Sequence, residues 1–240
     1  MIFTDDEKIQ AIDKAFNQSL NKRIVIERFI NGTYHCLSVF LRDGKVIYAY
    51  ADNEYSDHRQ FYVTTGAAPA TNFDTVKDIL LKEAEKVASL LKLVDGKLHM
   101  QYIMGKDGKP YVIEYMRRLA GDFYCYPVSK TLNIDAAKLV VSAECGFDLS
   151  EYKPNLNQKG YIGYHIVMAP KNGLLKQIKY KKELDGKIFD KVSLCDYPFQ
   201  IKDNMVDKME IVFFECDNYA ELLKYAENIN DYIDFVFDEQ

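Results

Sequence analysis

Apolar positions along this chain repeat first at helical spacing and then in strand-like runs, and the changes of period mark its elements. Thr4 can cap a helix whose first turn holds Asp5, Asp6 and Glu7, favoured at the positive end of the helix dipole. Ile9, Ile12, Ala15, Phe16 and Leu20 then recur on one face. Residues 23–30 (RIVIERFI), 34–41 (YHCLSVFL) and 45–51 (KVIYAYA) are rich in β-branched and aromatic residues and predict three strands. Asn31-Gly32 and Asp43-Gly44 separate them, and both are turn dipeptides, so the three read as an antiparallel meander. Residues 53–72 show no period and predict a long irregular loop.

The clearest helix covers residues 73–93, with Val76, Ile79, Leu80, Ala84, Val87, Leu90 and Leu91 on its buried side. Residues 97–104 and 109–116 form a predicted hairpin with Gly105-Lys-Asp-Gly108 at its tip. A further helix over 134–145 ends at Gly146. Residues 152–159 (YKPNLNQK) are polar, carry a proline and read as a linker. Short strands over 160–168, 174–180, 187–194 and 209–215, a helix over 219–228 and a strand over 232–237 complete the pattern. The expected fold class is α+β, mainly antiparallel sheet with helices packed on one face, divided into residues 1–150 and a smaller extension, 151–240.

Composition narrows the function classes. At 48% hydrophobic and 28% charged residues, the 240-residue chain is an ordinary globular protein that can bury a core. A net charge of −5 without a Lys/Arg stripe argues against nucleic acid as a partner. The most basic stretch, 176–182 (KQIKYKK), reads as a solvated face. The five cysteines (Cys36, Cys125, Cys145, Cys195, Cys216) show no metal-ligand spacing and suit a reducing compartment. Cys125, among the aromatics of FYCY, leaves two readings open: a small core residue or a reactive thiol. The early charges at the N-terminus do not resemble a signal peptide, and no apolar run reaches the roughly 18 residues of a membrane span. A cytoplasmic protein with no membrane partner is expected.

The candidate chemistry lies on the hairpin. In YVIEYMRR (111–118), strand alternation puts Glu114 and Met116 on one face, with Arg118 beside them if the strand continues. Carboxylate and amide oxygens next to a guanidinium can hold Mg²⁺ and polyphosphate, while a surface Glu114–Arg118 ion pair explains the same spacing.

In order and spacing, these features resemble the C-terminal half of ATP-grasp ligases, especially the carbamoyl-phosphate-synthase-like and biotin-carboxylase-like branch. The resemblance covers roughly residues 5–150. It rests on a helix leading into IVIERFINGT, a strand–DG–strand meander, a loop with TGAAP, a long helix, and a hairpin of the form HMQY…DG…YVIEYMRR followed by LAGD. It implies that Glu27 and the backbone of Arg28, Phe29 and Ile30 line an adenine and ribose pocket. It further implies that Glu114 and Gln101 are metal ligands, that Arg118 faces phosphate or acyl-phosphate, and that ATP and Mg²⁺ are the cofactors. His35 could border the same pocket or be a merely tolerated polar residue.

The departures are specific. Gln101 stands where the family has a first metal carboxylate, Met116 where it has a metal-binding asparagine, and His165 where an arginine is common. A thioether is a poor ligand for a hard cation. No GxxxxGK-type or other Gly-rich loop occurs in the sequence. Three alternatives follow: an ATP-grasp relative impaired alone, half of a split ligase completed by a partner chain or by self-association, or a non-catalytic scaffold.

Overall fold

The computed structural model describes residues 4–56 and 62–238. Its elements in chain order begin with α1 (Asp5–Gln18), β1 (Gly32–Arg42), β2 (Lys45–Ser56), β3 (Val63–Ala68), α2 (Phe73–Leu90), β4 (Gly96–Gly105) and β5 (Pro110–Met116). There follow α3 (Cys125–Leu132), α4 (Ala136–Glu144), β6 (Tyr161–Val167), β7 (Gly173–Tyr180), α5 (Lys182–Asp185), β8 (Ile188–Ser193), β9 (Phe199–Ile201), β10 (Glu210–Cys216), α6 (Tyr219–Glu227) and β11 (Ile233–Phe237). An α+β architecture is therefore present, built on an antiparallel sheet ordered β5-β4-β1-β2-β3-β6-β10-β8, with a small sheet β11-β7-β9 beside it. The large sheet runs unbroken past the polar stretch 152–159, where the sequence suggests a division. That stretch is tied down by Asn155 N–H to the Ile47 carbonyl and by the Gln158 amide to both backbone groups of Ala51.

Helices cover both faces of this sheet rather than one. On the first face α2 packs Phe73, Val76, Leu80, Ala84 and Ala88 onto Leu37, Val39, Leu41, Ala49, Ala51, Leu98 and Met100. Further along the same face, α6 seals Val212 and Phe214 with Leu222 and Ala226. On the other face, α3 and α4 bring Val128, Leu132, Ala136 and Leu139 against Phe40, Tyr48, Tyr50, Tyr164 and Phe213. α2 ends three residues earlier than expected, so Leu90 and Leu91 are exposed, as is Ile79. The helix expected over 134–145 is α4, and Gly146 follows it at φ 72°, with Phe147 N–H closing on the Ser142 carbonyl. The preceding helix α3 shows no separate signal in the sequence pattern.

Two expectations about strands are corrected. Residues 23–30 form no strand: both edges of β1, the strand that follows them, are taken by β2 and β4, and this β-prone segment lies outside the sheet. Gly32, expected in a turn, opens β1 instead. A Cβ there would collide with the Met104 carbonyl, so glycine is what lets β1 and β4 meet at that point. The loop expected over 53–72 is largely strand, since β2 runs to Ser56 and β3 begins at Val63; its central residues 57–61 lie outside the described residues. The Asp43-Gly44 turn has both residues at positive φ, as a two-residue hairpin requires.

At the N-terminus, α1 carries a complete capping box, with Thr4 Oγ1 accepting from Glu7 N–H and Glu7 Oε2 accepting from Thr4 N–H. Yet α1 contributes no buried residue. Ile9, Phe16, Val25, Ile26 and Phe29 are all exposed.

Candidate functional site

Neighbouring strands β5, β4, β1 and β2 place one row of polar side chains on the α3/α4 face. Strand alternation selects Cys36 and Ser38 from β1, Tyr50, Asp52 and Glu54 from β2, and Lys97, His99 and Gln101 from β4. Register then aligns them: Cys36 lies between Asp52 and Gln101, Ser38 opposite His99, Gln101 opposite Glu114, and His99 opposite Met116. The chain after β5 returns across this row, so Arg118, Ala120, Gly121, Asp122 and Tyr124 wall a cavity of about 150 Å³ with Glu54, His99, Gln101 and Met116. An Asp122–Lys208 ion pair of 2.9 Å fastens that wall to the later part of the chain.

Of the residues expected to bind a metal, Gln101 and Glu114 are thus cross-strand partners. The Gln101 amide, however, donates to both oxygens of Glu54, at 3.0 and 2.9 Å. Glu54 was not among the expected site residues. Arg118 lines the cavity and donates to the Leu119 carbonyl at 3.0 Å. Its neighbour Arg117 is committed elsewhere, to the carbonyls of Lys97 at 2.6 Å and Val94 at 3.0 Å. Glu27, Arg28 and Phe29 are exposed and Ile30 is half-buried; among the described residues none of the four lines this cavity. His35 points to the α2 face, stacked 5.2 Å from Tyr102 and bonded to Thr33 at 2.6 Å; burial lowers its pKa to about 4. His165 pairs with Thr65 Oγ1 at 2.8 Å.

Below the cavity the polar row is fully buried. Asp52 Oδ1 accepts from Cys36 Sγ at 2.6 Å and from the Tyr124 hydroxyl at 3.1 Å. Tyr124 sits edge-on to the rings of Tyr50, His99 and Tyr164. The Lys97 ammonium lies 5.0 Å from the Tyr124 ring centroid and, among the described residues, makes no hydrogen bond. Gly66 is what admits this packing, because a Cβ there would strike the Tyr164 ring and come within 2.7 Å of Asp52 Oδ2.

These surroundings set the protonation states. Burial and then the charge of Glu54 push Asp52 up to about 8; burial, followed by the charge of Glu114, pushes Glu54 up to about 7. His99 is lowered to about 3 by burial, then by Lys97 and Arg118, so its ring is neutral. Burial raises Cys36 strongly, and it also raises Cys125, which keeps that thiol protonated at neutral pH. Alternation of polar residues at 36/38, 50/52/54 and 97/99/101 was the available sequence signal for this row.

The Mg²⁺ site implied by the resemblance does not fit these residues. A hard cation needs oxygen donors. Gln101 directs its nitrogen to Glu54, and Met116 brings a thioether to the same wall, which leaves Glu114 as the charged oxygen donor of the expected set.

No protein-family model and no curated protein sequence matches the chain. Solved structures do. An L-amino acid ligase from Bacillus licheniformis matches with a TM-score of 0.80 at 20% identity, over 99% of this chain and 61% of that one. Phosphoribosylglycinamide synthetase from Anaerococcus prevotii gives 0.74 at 18%, over 98% and 61%. The biotin carboxylase domain of the 2-oxoglutarate carboxylase of Hydrogenobacter thermophilus, solved with MgADP and bicarbonate, gives 0.75 at 14%, over 98% and 53%. The chain has the fold of these ATP-grasp enzymes and spans 53–61% of their length. Among the described residues, no helix is long and apolar enough to cross a membrane.

Proposed function

We propose that this chain is a partial ATP-grasp protein, related to ATP-dependent carboxylate–amine ligases, that does not turn over ATP by itself. The observation that carries the reading is the Gln101–Glu54 pair. In a metal site of the related ligases, a carboxylate at position 101 would share a cation with Glu114. Here an uncharged amide holds Glu54 by two hydrogen bonds, doing with N–H groups what an ion would do with charge.

What the residues retain is recognition. Arg118 can present its guanidinium to an anionic group in the cavity, and Glu114 stands exposed on the neighbouring strand, opposite Gln101. The test is calorimetric titration of the pure chain with ATP, with and without Mg²⁺, alongside a hydrolysis assay. We expect no hydrolysis and no gain in affinity from Mg²⁺. Mg²⁺-dependent hydrolysis that disappears in Glu114→Ala would overturn the reading.

One observation favours a second reading, a ligase half completed by a partner chain or a second copy. Val25 is 83% exposed and Phe29 56% exposed, beside an α1 helix with an uncovered apolar face. A covering chain would also complete the nucleotide cleft beside Glu27, Arg28, Phe29 and Ile30. Size-exclusion chromatography with light scattering separates the two, since a strict monomer that captures no nucleotide excludes self-completion.

A further inference from the structure

Cys36, Glu54 and His99 bring a thiol, a carboxylate and an imidazole together from three adjacent strands. Their ligand atoms all lie within 4.8 Å of one another. We propose that these three side chains bind a divalent transition-metal ion of the zinc class, at a position distinct from the Gln101–Glu114 pair and independent of nucleotide.

The donor set is the first argument. Sulfur and nitrogen donors beside a single carboxylate suit a borderline-soft ion and disfavour Mg²⁺ or Ca²⁺. Bonds of about 2.0–2.3 Å in a tetrahedral centre hold ligand atoms about 3.5 Å apart, so rotamer adjustments of about 1 Å would close the site.

The second argument is the layer behind the ligands, because metal ligands are generally oriented by hydrogen bonds from outside the coordination sphere. Each of the three has such a partner. His99 Nδ1 is 2.6 Å from Ser38 Oγ, and in the tautomer that donates Nδ1–H to that oxygen Nε2 keeps its lone pair for a metal. Glu54 is held by the Gln101 amide and, with about four lone-pair positions, can accept those bonds and still ligate. Cys36 Sγ is flanked by Tyr124 and lies 2.6 Å from Asp52 Oδ1, which orients the thiol; the proton that a metal ion displaces from it is released to solvent. Gln101, out of place as an Mg²⁺ ligand, is in place as the group that orients Glu54.

Access is the third argument. Glu54 and His99 also line the cavity of about 150 Å³, so an ion can enter from that side and keep a water there as a further ligand. Lys97 and Arg118 oppose a cation through space, whereas the Glu54 carboxylate and the thiolate formed on binding favour it.

Cobalt(II), titrated into the untagged, metal-free full chain, is the probe. We expect one equivalent to bind with intense visible bands of tetrahedral cobalt and a thiolate-to-cobalt charge-transfer band, both abolished when Zn²⁺ displaces it. Cys36→Ser should remove the charge-transfer band, and His99→Gln should weaken cobalt binding by at least about tenfold. Cys125→Ser should leave the spectrum unchanged. Weak octahedral bands without charge transfer, or a charge-transfer band that survives in Cys36→Ser, would overturn the proposal. Should those variants fail to fold, the parent chain still decides: Zn²⁺ must raise its melting temperature in a 1:1 titration, and no shift at saturating Zn²⁺ refutes the site. None of these readouts involves ATP, so failure here leaves the nucleotide reading standing, and the reverse also holds.

Discussion

The two faces of strands β1, β2 and β4 are equally buried and chemically opposite. Under α2 lie Leu37, Val39, Leu41, Ala49, Ala51, Leu98 and Met100, an apolar layer of ordinary core. One residue along each strand, under α3 and beside it, lie Cys36, Ser38, Asp52, Lys97 and His99, also fully or nearly buried. The first face is what a sheet needs to stay folded. The second costs desolvation at every ionisable group and stabilises through a handful of hydrogen bonds. A chain that buries carboxylates, an ammonium and a thiol together, with an apolar alternative one residue away, is keeping chemistry there rather than packing.

The largest effect that should break this contrast is on the apolar face. Leu98→Ala, at 1% exposure, should lose about 3 kcal/mol and lower the melting temperature by roughly 6–12 °C, read by thermal denaturation. A loss below about 1 kcal/mol would mean that this face is not the dry core.

The polar face should show itself through pH. Asp52 and Glu54 hold protons more tightly folded than unfolded, with pKa values raised to about 8 and about 7. Their contribution to stability is complete below about pH 4 and is lost as pH rises through 7 and 8. The melting temperature should therefore fall by about 3 °C per unit between pH 6 and 8, and Asp52→Asn should flatten the slope. A melting temperature that rises over that range would contradict the buried pair.

A smaller effect, but a gain, concerns the hairpin wall. Gln101→Glu combined with Met116→Asn supplies hard oxygen donors beside Glu114, and should raise nucleotide affinity in Mg²⁺ by about tenfold. Calorimetry with and without Mg²⁺ measures it. An unchanged affinity would show that the missing ligands are not what limits binding.

The smallest expected effect is at α1. Thr4→Ala removes the capping box and should cost the helix about 1 kcal/mol, speeding amide exchange within it. Global melting should not move, because α1 buries nothing.

These outcomes also separate what could be read from the chain from what could not. The hairpins β1–β2 and β4–β5 were legible because local turn chemistry, Asp43-Gly44 and Gly105–Gly108, fixes them within a few residues. Gln101 and Glu114 could be assigned to that hairpin for the same reason. Glu54 was hidden because a polar run reads as a loop, and pairing with β3 is what makes it strand; Asp52, just before that run, is drawn into β2 by its pairing with Cys36 on β1. The segment 23–30 misled in the opposite sense: its β-propensity is real, but propensity alone does not bring a segment into a sheet, and both edges of the adjoining β1 are taken. Cys36 carried no signal of its own, since ligand spacing in sequence is meaningless when the ligands come from three strands.

The continuous sheet has a consequence for how the chain folds. Thr65 on β3 and His165 on β6 pair across 100 residues, the longest loop closure in the large sheet. Each hairpin on the β5-β4-β1-β2 side can form from nearby residues, while the β3–β6 seam must wait for both halves and closes late. Until it does, β3 is a naked edge with unpaired backbone groups, and it carries Gly66 and the wall of the polar row. Expression of residues 1–150 alone would leave that edge open permanently, so association through β3 is the failure to watch for when this chain is divided.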